Sequence, residues 1–351
     1  MAILRNLNSL VDDLQKKSYL AYAFSRSALY MGQFESLYRF SKVFSPLVEV
    51  PTPYRDKEVE EFLMADVRKL YEEDAKLFVE KISPWSLLKP ESLPTHFFRF
   101  SKILASGVKM SKIRKEKSHK KFKPSIDLSK YPDYFKRTFH FQVDGYLSTD
   151  SAELYNHQVE IIFNGTADAM RRMVIPVINN ALLGNSQKKI LEIACGTGRA
   201  TEMVAKTFNK NHITATDLSH AYLVKARQKL NLDNVDFMQA AAEELPYKDE
   251  TYDVVYSVFL FHEIPEEVRE KAVSEMKRVL KPGGTLIILD SIQVDDEPRY
   301  HEALRRFPID YHEPFYKSYT QWPLEKALTD HGFQAVQSTR GFFSKIAWGK
   351  K

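Results

Sequence analysis

The chain has 351 residues, of which 44% are hydrophobic and 28% charged, and its formal net charge is +5 at pH 7. This length is sufficient for two domains with a sizeable core. The weak positive charge argues against nucleic acid as a partner. The one cysteine, Cys195, excludes an internal disulfide and fits a reducing compartment.

The sequence contains no run that approaches the ~18 apolar residues of a membrane span. Residues 1–20 also lack the unbroken apolar stretch of a secretory signal. We therefore expect a cytoplasmic protein without a transmembrane segment, and a peripheral membrane contact stays open.

The N-terminal part is predicted to be helical. Apolar residues recur at helical spacing between Pro53 and Lys81, with acids and lysines between them. A basic run at 109–123 is typical of a solvated face, and the prolines after it indicate a linker or an ordered loop. Residues 148–184 begin with capping candidates and end in glycine, which predicts one or two helices.

After Gly184 the pattern becomes α/β, because short apolar runs alternate with helical stretches. This alternation predicts a parallel sheet with helices on both faces. Residues 331–350 contain two further strand candidates around a turn, which suit an antiparallel pair at the sheet edge. The apolar runs before them are KKILEIA, HITATD, VDFMQA, YDVVYSVFL and GTLIILD.

Ligands of such sheets bind beyond the carboxyl ends of the strands. We expect four residues at or beside these ends: Glu192, Asp217, Ala241 and Ser257.

The segment LEIACGTGRA, residues 191–200, has the form of a turn between a strand and a helix around a nucleotide. The dinucleotide fingerprint requires a third glycine, but Arg199 or Thr201 stands there, depending on the register. Glu192 would repel a pyrophosphate and suits a cation, and Asp217 is placed to accept hydrogen bonds from two ribose hydroxyls. A nucleoside with a cation and no phosphate describes S-adenosylmethionine.

Two structural alternatives stay open for these residues. Gly196 and Gly198 could serve only a tight turn. Asp217 could cap the following helix, although Ser219 is an alternative cap.

Residues 188–290 resemble the class I S-adenosylmethionine-dependent methyltransferases, in particular the group that methylates ubiquinone and menaquinone precursors and other small molecules. ILEIACGTGRAT resembles the first motif of that family, and TATDLS resembles its ribose-binding segment. VDFMQAAAEELP resembles the adenine segment, and MKRVLKPGGTLIILD resembles the approach to the fifth strand. The resemblance implies a Rossmann-like methyltransferase sheet, mostly parallel with an antiparallel edge hairpin, behind an N-terminal helical domain.

The same resemblance implies which residues hold S-adenosylmethionine. Where the family often has an acid that binds the adenine amino group, this chain has Ala241, so adenine is expected to rest on backbone groups near Ala242 and on apolar packing. The expected cofactor-binding residues are Glu192, Ala194, Cys195, Gly196, Gly198, Asp217, Leu218, Ala241, Ala242 and Ser257.

Candidate catalytic residues lie in two places. His262 follows the fourth predicted strand, where the reacting methyl group of the family points, and it could act as a general base or only pack. Tyr311 and His312 stand in a polar aromatic stretch, 307–320, that could line an acceptor pocket or pack under the N-terminal domain. No metal site is expected.

A third segment, 139–151, precedes the methyltransferase core. Its residues Phe141, Gln142, Gly145 and Tyr146 are candidates for a lid over the cofactor, and the alternative is an inter-domain linker.

These observations predict a helical domain at 1–130 that covers the substrate, linking loops and helices at 131–186, and a cofactor-binding methyltransferase domain at 187–351. The predicted function is methyl transfer to a small, apolar or aromatic acceptor. Methylation of a macromolecule, RNA or protein, with the basic run as its footprint, is one alternative, and a cofactor-binding scaffold without catalysis is another. The acceptor and the oligomeric state do not follow from the sequence.

Overall fold

A computed structural model of the chain describes residues 2–44, 57–116, 118–183, 185 and 187–351. In these ranges, a helical N-terminal half precedes strands that alternate with helices. The helices are α1 Ala2–Phe44, α2 Lys57–Val79, α3 Leu93–Glu116, α4 Thr149–Ile162, α5 Ala167–Arg172, α6 Val174–Leu182, α7 Arg199–Thr207, α8 His220–Lys229, α9 Glu266–Val279, α10 His301–Asp310, α11 Tyr316–Tyr319 and α12 Leu324–Asp330. The strands are β1 Lys189–Ile193, β2 His212–Asp217, β3 Val235–Gln239, β4 Tyr252–Val258, β5 Leu280–Ser291, β6 Gln334–Gly341 and β7 Ser344–Lys350.

The seven strands form one sheet in the order β3-β2-β1-β4-β5-β7-β6. Strands β1 to β5 are parallel, and β7 pairs antiparallel with both β5 and β6. The predicted parallel sheet with an antiparallel edge pair is therefore confirmed. The order reverses between β1 and β4, where Ile193 lies opposite Ser257. A crevice at such a reversal, at the carboxyl ends of the strands, is the usual ligand site of this architecture.

The N-terminal helices and the sheet share one hydrophobic core. Tyr19 of α1 stacks on Phe78 of α2 with ring centroids 5.4 Å apart, and Ile175 of α6 belongs to the same buried cluster as Ile190 of β1. Helix α6 packs directly on β4 and β5. Because burial of apolar area stabilises by about 25 cal/mol per Å², this continuous cluster ties the helical half to the sheet.

Two predictions about the helices differ from the structure. Residues 149–182 contain three helices instead of one or two. Asn164 and Gly165, with positive φ values of 50° and 80°, end α4, and Met173 separates α5 from α6. The predicted solvated basic run is partly helical, since α3 continues to Glu116. Lysine, arginine and glutamate favour helices, and Lys112 lies 3.8 Å from Glu116 one turn along the helix.

Among the residues that the structure describes, no helix has both the length and the apolarity needed to cross a bilayer.

Candidate active site

A cleft lies at the carboxyl ends of β1, β2 and β4, with a space of about 980 Å³ including the open solvent at its mouth. One wall comes from the sheet and the turns after its strands, and the other comes from residues 134–171 of the helical half. The residues that line the cleft include Tyr134, Phe135, Phe139, Tyr146, Tyr155, Asn156, Arg171, Glu192, Ala194, Cys195, Gly196, Thr197, Asp217, Leu218, Ala242, Glu243 and Glu263.

The turn after β1 depends on left-handed backbone at three positions. Ala194, Gly196 and Gly198 have φ values of 58°, 57° and 77°. A Cβ at Gly198 would lie 2.7 Å from Leu230 Cδ1, so a larger residue there would meet both strain and a clash. The Cys195 N–H donates to the carbonyl of Thr216 at 2.8 Å, which ties the turn to β2. Helix α7 then starts at Arg199.

Glu192 is buried at the base of the cleft. The Tyr256 hydroxyl donates to Glu192 Oε2 at 2.8 Å. Burial raises the pKa of Glu192 to about 7, because a carboxylate is poorly solvated away from water.

Asp217 at the end of β2 is also buried, and burial raises its pKa to about 6. Its two oxygens accept hydrogen bonds from the N–H groups of Gly196 and Ser219, at 2.7 Å each. The cap of α8 is Ser219, whose Oγ accepts from the Tyr222 N–H at 3.1 Å. Among the described residues, neither Asp217 nor Glu192 forms an ion pair with a basic side chain, so the cleft presents two buried acids to a ligand.

An aromatic wall closes the cleft on the side of the helical half. The rings of Tyr146 and Phe139 stack with centroids 5.2 Å apart, and the Tyr146 carbonyl accepts from Ser219 Oγ at 2.5 Å. Gly145 permits the tight approach of this segment, since it has a φ of 51° and a Cβ there would lie 2.1 Å from the Arg137 carbonyl oxygen. The segment therefore lies against the start of α8, where Ser219 caps the helix.

The four lid candidates from the sequence have different positions. Tyr146 lines the cleft. Gln142 is buried behind the wall, where it accepts a hydrogen bond from Ser151 Oγ at 2.7 Å. Gly145 shapes the turn, and the side chain of Phe141 lies outside the described residues.

His262 lies beside the cleft but is not among its lining residues. Its Nδ1 is 2.5 Å from Asp290 Oδ1, and its ring packs against Tyr316 and Tyr319. Burial lowers the pKa of His262, but the pairing with Asp290 outweighs that effect and raises it overall. The imidazole is thus held by β5.

Tyr311 and His312 also lie away from the cleft wall. Tyr311 packs against Phe307 with ring centroids 4.8 Å apart, and the His312 ring stacks on His119 at 3.5 Å. Burial, together with the nearby His119, lowers the pKa of His312 to about 4. Their neighbour Glu313 is fully buried and points toward His140, 3.2 Å away.

The structure brings most of the expected cofactor residues together. Ala194, Cys195, Leu218 and Ala242 line the cleft with the acids and Gly196, whereas Gly198, Ala241 and Ser257 do not. Burial raises the pKa of the Cys195 thiol far above its usual value, which excludes a reactive thiolate near neutral pH.

Several lining residues were missed by the sequence analysis. Tyr134 donates to Glu243 Oε1 at 2.6 Å across the cleft, and Asn156 donates to Thr197 Oγ1 at 2.7 Å. Both pairs join segments more than forty positions apart, so no local spacing could indicate them. The aromatic density of 131–146 was the one available signal.

Comparison with known proteins bears on this site. The methyltransferase-domain family matches residues 190–284. A phosphatidylethanolamine N-methyltransferase of Cereibacter sphaeroides is 31% identical over 159 residues, which cover 43% of this chain and 72% of that protein. The chain therefore belongs to the S-adenosylmethionine-dependent methyltransferase family.

Other relatives match shorter regions. A phthiotriol/phenolphthiotriol dimycocerosates methyltransferase of Mycobacterium ulcerans is 36% identical, over 30% of this chain and 38% of that protein. A ubiquinone/menaquinone biosynthesis C-methyltransferase of Idiomarina loihiensis is 37% identical, over 29% and 42% of the two chains. The chain thus spans about two fifths of the length of these two relatives. The resemblance inferred from the motifs is confirmed.

Proposed function

We propose that this chain transfers the methyl group of S-adenosylmethionine to a small, apolar or aromatic acceptor. The observation that carries the proposal is the pair of buried acids, Glu192 and Asp217, beside the glycine turn and under an aromatic wall. A cleft with two buried acids and no basic partner for them among the described residues favours a cationic ligand, because an isolated buried charge is costly.

The residues present fit this cofactor. Glu192 would face its cationic amino-acid end, and Asp217 would accept from the ribose hydroxyls with the lone pairs that the Gly196 and Ser219 N–H groups leave free. Ala242 and Leu218 would pack on the adenine. When bound, the sulfonium supplies an electrophilic methyl group.

The protein has to position the acceptor in line with the methyl group and to exclude water from the cleft. Phe135, Phe139 and Tyr146 would cover the cleft and pack on an apolar acceptor. The Tyr146 hydroxyl donates to Glu263 Oε1 at 2.5 Å. This hydrogen bond fixes the orientation of the Glu263 carboxylate in the wall of the cleft. We propose that the segment 139–151 is the lid, that 1–130 supports it from behind, and that 187–351 carries the cofactor.

The basic run favours a small acceptor over a macromolecule. Lys112 and Lys121 lie 3.8 Å from Glu116, Arg114 lies 3.4 Å from Asp310, and Lys123 pairs with Asp144 at 3.1 Å. The partly buried pairs of Arg114 and Lys123 leave less charge for a phosphate backbone, whereas Lys112 and Lys121 stay exposed.

The test is to incubate the protein with an extract of small molecules and S-adenosylmethionine that carries a deuterated methyl group. We expect one or a few compounds to gain the labelled methyl group with the wild-type chain and not with Asp217→Ala. Labelling of RNA or protein in place of a small molecule would contradict the proposed acceptor class. Failure of S-adenosylmethionine to bind in a calorimeter would contradict the activity itself.

A further inference from the structure

We propose that His140, Glu263 and Glu313 bind a divalent transition-metal ion at the wall of the cleft. One ligand atom from each of the three side chains lies within 4.8 Å of the other two. Imidazole nitrogen and carboxylate oxygen together suit Zn²⁺, Mn²⁺ or Fe²⁺. The three residues come from the lid, the turn after β4 and the turn after α10.

Each ring nitrogen of His140 faces one of the two glutamates, so a single ion would use one of these nitrogens. His140 Nδ1 lies 3.2 Å from Glu313 Oε1, and His140 Nε2 lies 3.5 Å from Glu263 Oε1. Two ligands about 2.1 Å from one Zn²⁺ ion are about 3.0–3.4 Å apart in octahedral or tetrahedral geometry. An ion on one ring nitrogen would require the more distant glutamate to move closer, from within the 4.8 Å that separates the three ligand atoms.

A second observation points to a ligand at this place. Glu313 is 1% exposed, and neither of its carboxylate oxygens accepts a hydrogen bond. Burial and the repulsion from two further acids, Glu263 and Asp290, all disfavour the ionised form of the Glu313 carboxyl. Without a cation these effects raise the pKa of the Glu313 carboxyl well above its usual value, and a divalent ion would stabilise the ionised form.

Another group of possible ligands in the described residues lacks this feature. Glu91, His96 and His157 also lie within metal-binding distance of one another. However, Gln33 already bonds both rings, at 2.6 Å to His96 Nε2 and 3.0 Å to His157 Nε2. Glu91 is exposed and pairs with Arg99. This second group is therefore satisfied by protein contacts and serves as a matched control.

The surroundings of the proposed site support it. The Tyr146 hydroxyl, which donates to Glu263 Oε1, is the kind of outer partner that orients metal ligands. Glu263 lines the cleft, so an ion bound there would face the acceptor and could polarise an acceptor oxygen. That use of the ion rests on the proposed function, whereas its binding does not.

The experiment uses the full chain freed of metal with a chelator, without cofactor or acceptor. Zn²⁺ is titrated in a calorimeter, and Co²⁺ is added as a spectroscopic probe of the ligands. We expect one ion per chain. Glu313→Gln and His140→Gln should each weaken binding at least about 100-fold, the upper end of what loss of an outer partner costs, while His157→Gln leaves the affinity unchanged.

Melting curves and S-adenosylmethionine affinity of each variant establish that it is folded, and Glu263→Gln replaces any variant that is not. Absence of a Zn²⁺ or Co²⁺ complex in the wild type would overturn the proposal. The same follows if His157→Gln abolishes binding and Glu313→Gln does not. Because no turnover is measured, failure here is distinct from failure of the proposed methyl transfer.

Discussion

Asp217 Oδ2 accepts a hydrogen bond from the N–H of Gly196 at 2.7 Å. The acid at the end of β2 thereby holds the glycine turn at the end of β1, in addition to facing the cleft. The two motif segments that the sequence places 21 residues apart act as one unit. Loss of this carboxylate should therefore affect both the ribose site and the turn.

Replacing Asp217 by alanine should weaken S-adenosylmethionine binding by on the order of 1.5–3 kcal/mol, because hydrogen bonds to a charged acceptor are lost. Calorimetry measures the affinity directly, and NAD serves as a second ligand that should not bind. Asp236→Ala, an exposed change on β3, is the control. An unchanged affinity in Asp217→Ala would mean that the ribose is held elsewhere.

Affinity for the cationic cofactor should depend on pH near neutrality. Burial raises the pKa of Glu192 to about 7 and that of Asp217 to about 6. Both acids are ionised above these values, so affinity should reach a plateau there and decline as the pH falls through 7 and then 6. For each carboxylate that must be ionised, the affinity for S-adenosylmethionine should fall up to about tenfold per pH unit below its pKa. Glu192→Gln should remove the upper part of the decline, and a flat profile in the wild type would contradict the role of Glu192.

The same pKa shift has the opposite sign for stability. The pKa of Glu192 is raised from 4.5 to about 7, so between these values the folded chain binds more protons than the unfolded chain. The free energy of unfolding without cofactor should therefore decrease as the pH rises through this window. Urea denaturation of the wild type and of Glu192→Gln measures how the free energy of unfolding changes with pH. The contribution of Glu192 to that change should vanish below about pH 4.

Gly198→Ala should destabilise the fold by about 1–3 kcal/mol, because φ is 77° and the new Cβ would lie 2.7 Å from Leu230 Cδ1. Gly107→Ala is the matched control, since Gly107 lies within α3 and a Cβ added there would have no neighbour within 4 Å. The control should be neutral or stabilising by up to about 1 kcal/mol. Equal effects of the two changes in chemical denaturation would show that the turn geometry is not required.

His262→Ala should act mainly on stability. Its removal leaves the buried Asp290 with the N–H groups of Phe261 and Ser291 but without the imidazole, and breaking a buried pair costs about 3–5 kcal/mol. S-adenosylmethionine affinity of the folded fraction should stay nearly unchanged, because His262 does not line the cleft. His262→Asn, which can still donate to Asp290, should recover part of the loss. A stable but inactive His262→Asn chain would instead support the catalytic role that the sequence suggested.

The sheet and the glycine turn after β1 could be predicted from the sequence, because both depend on local patterns. Buried parallel strands appear as short apolar runs such as KILEI, and the turn needs residues that tolerate positive φ at Gly196 and Gly198. Helices on both faces of a sheet with right-handed connections require the strand order to reverse. The two acids could be named because they lie at the ends of the apolar runs that form β1 and β2.

Which side chains line the cleft depends on tertiary contacts and could not be predicted from the sequence. His262 was a candidate by position, but its ring is bonded to Asp290 on the neighbouring strand. Glu263, the next residue, lines the cleft and meets His140 and Glu313 from segments more than forty residues away on either side along the chain. Side-chain direction at the end of a strand depends on what packs against it, and these packing partners are distant in sequence, so no spacing or periodicity records them.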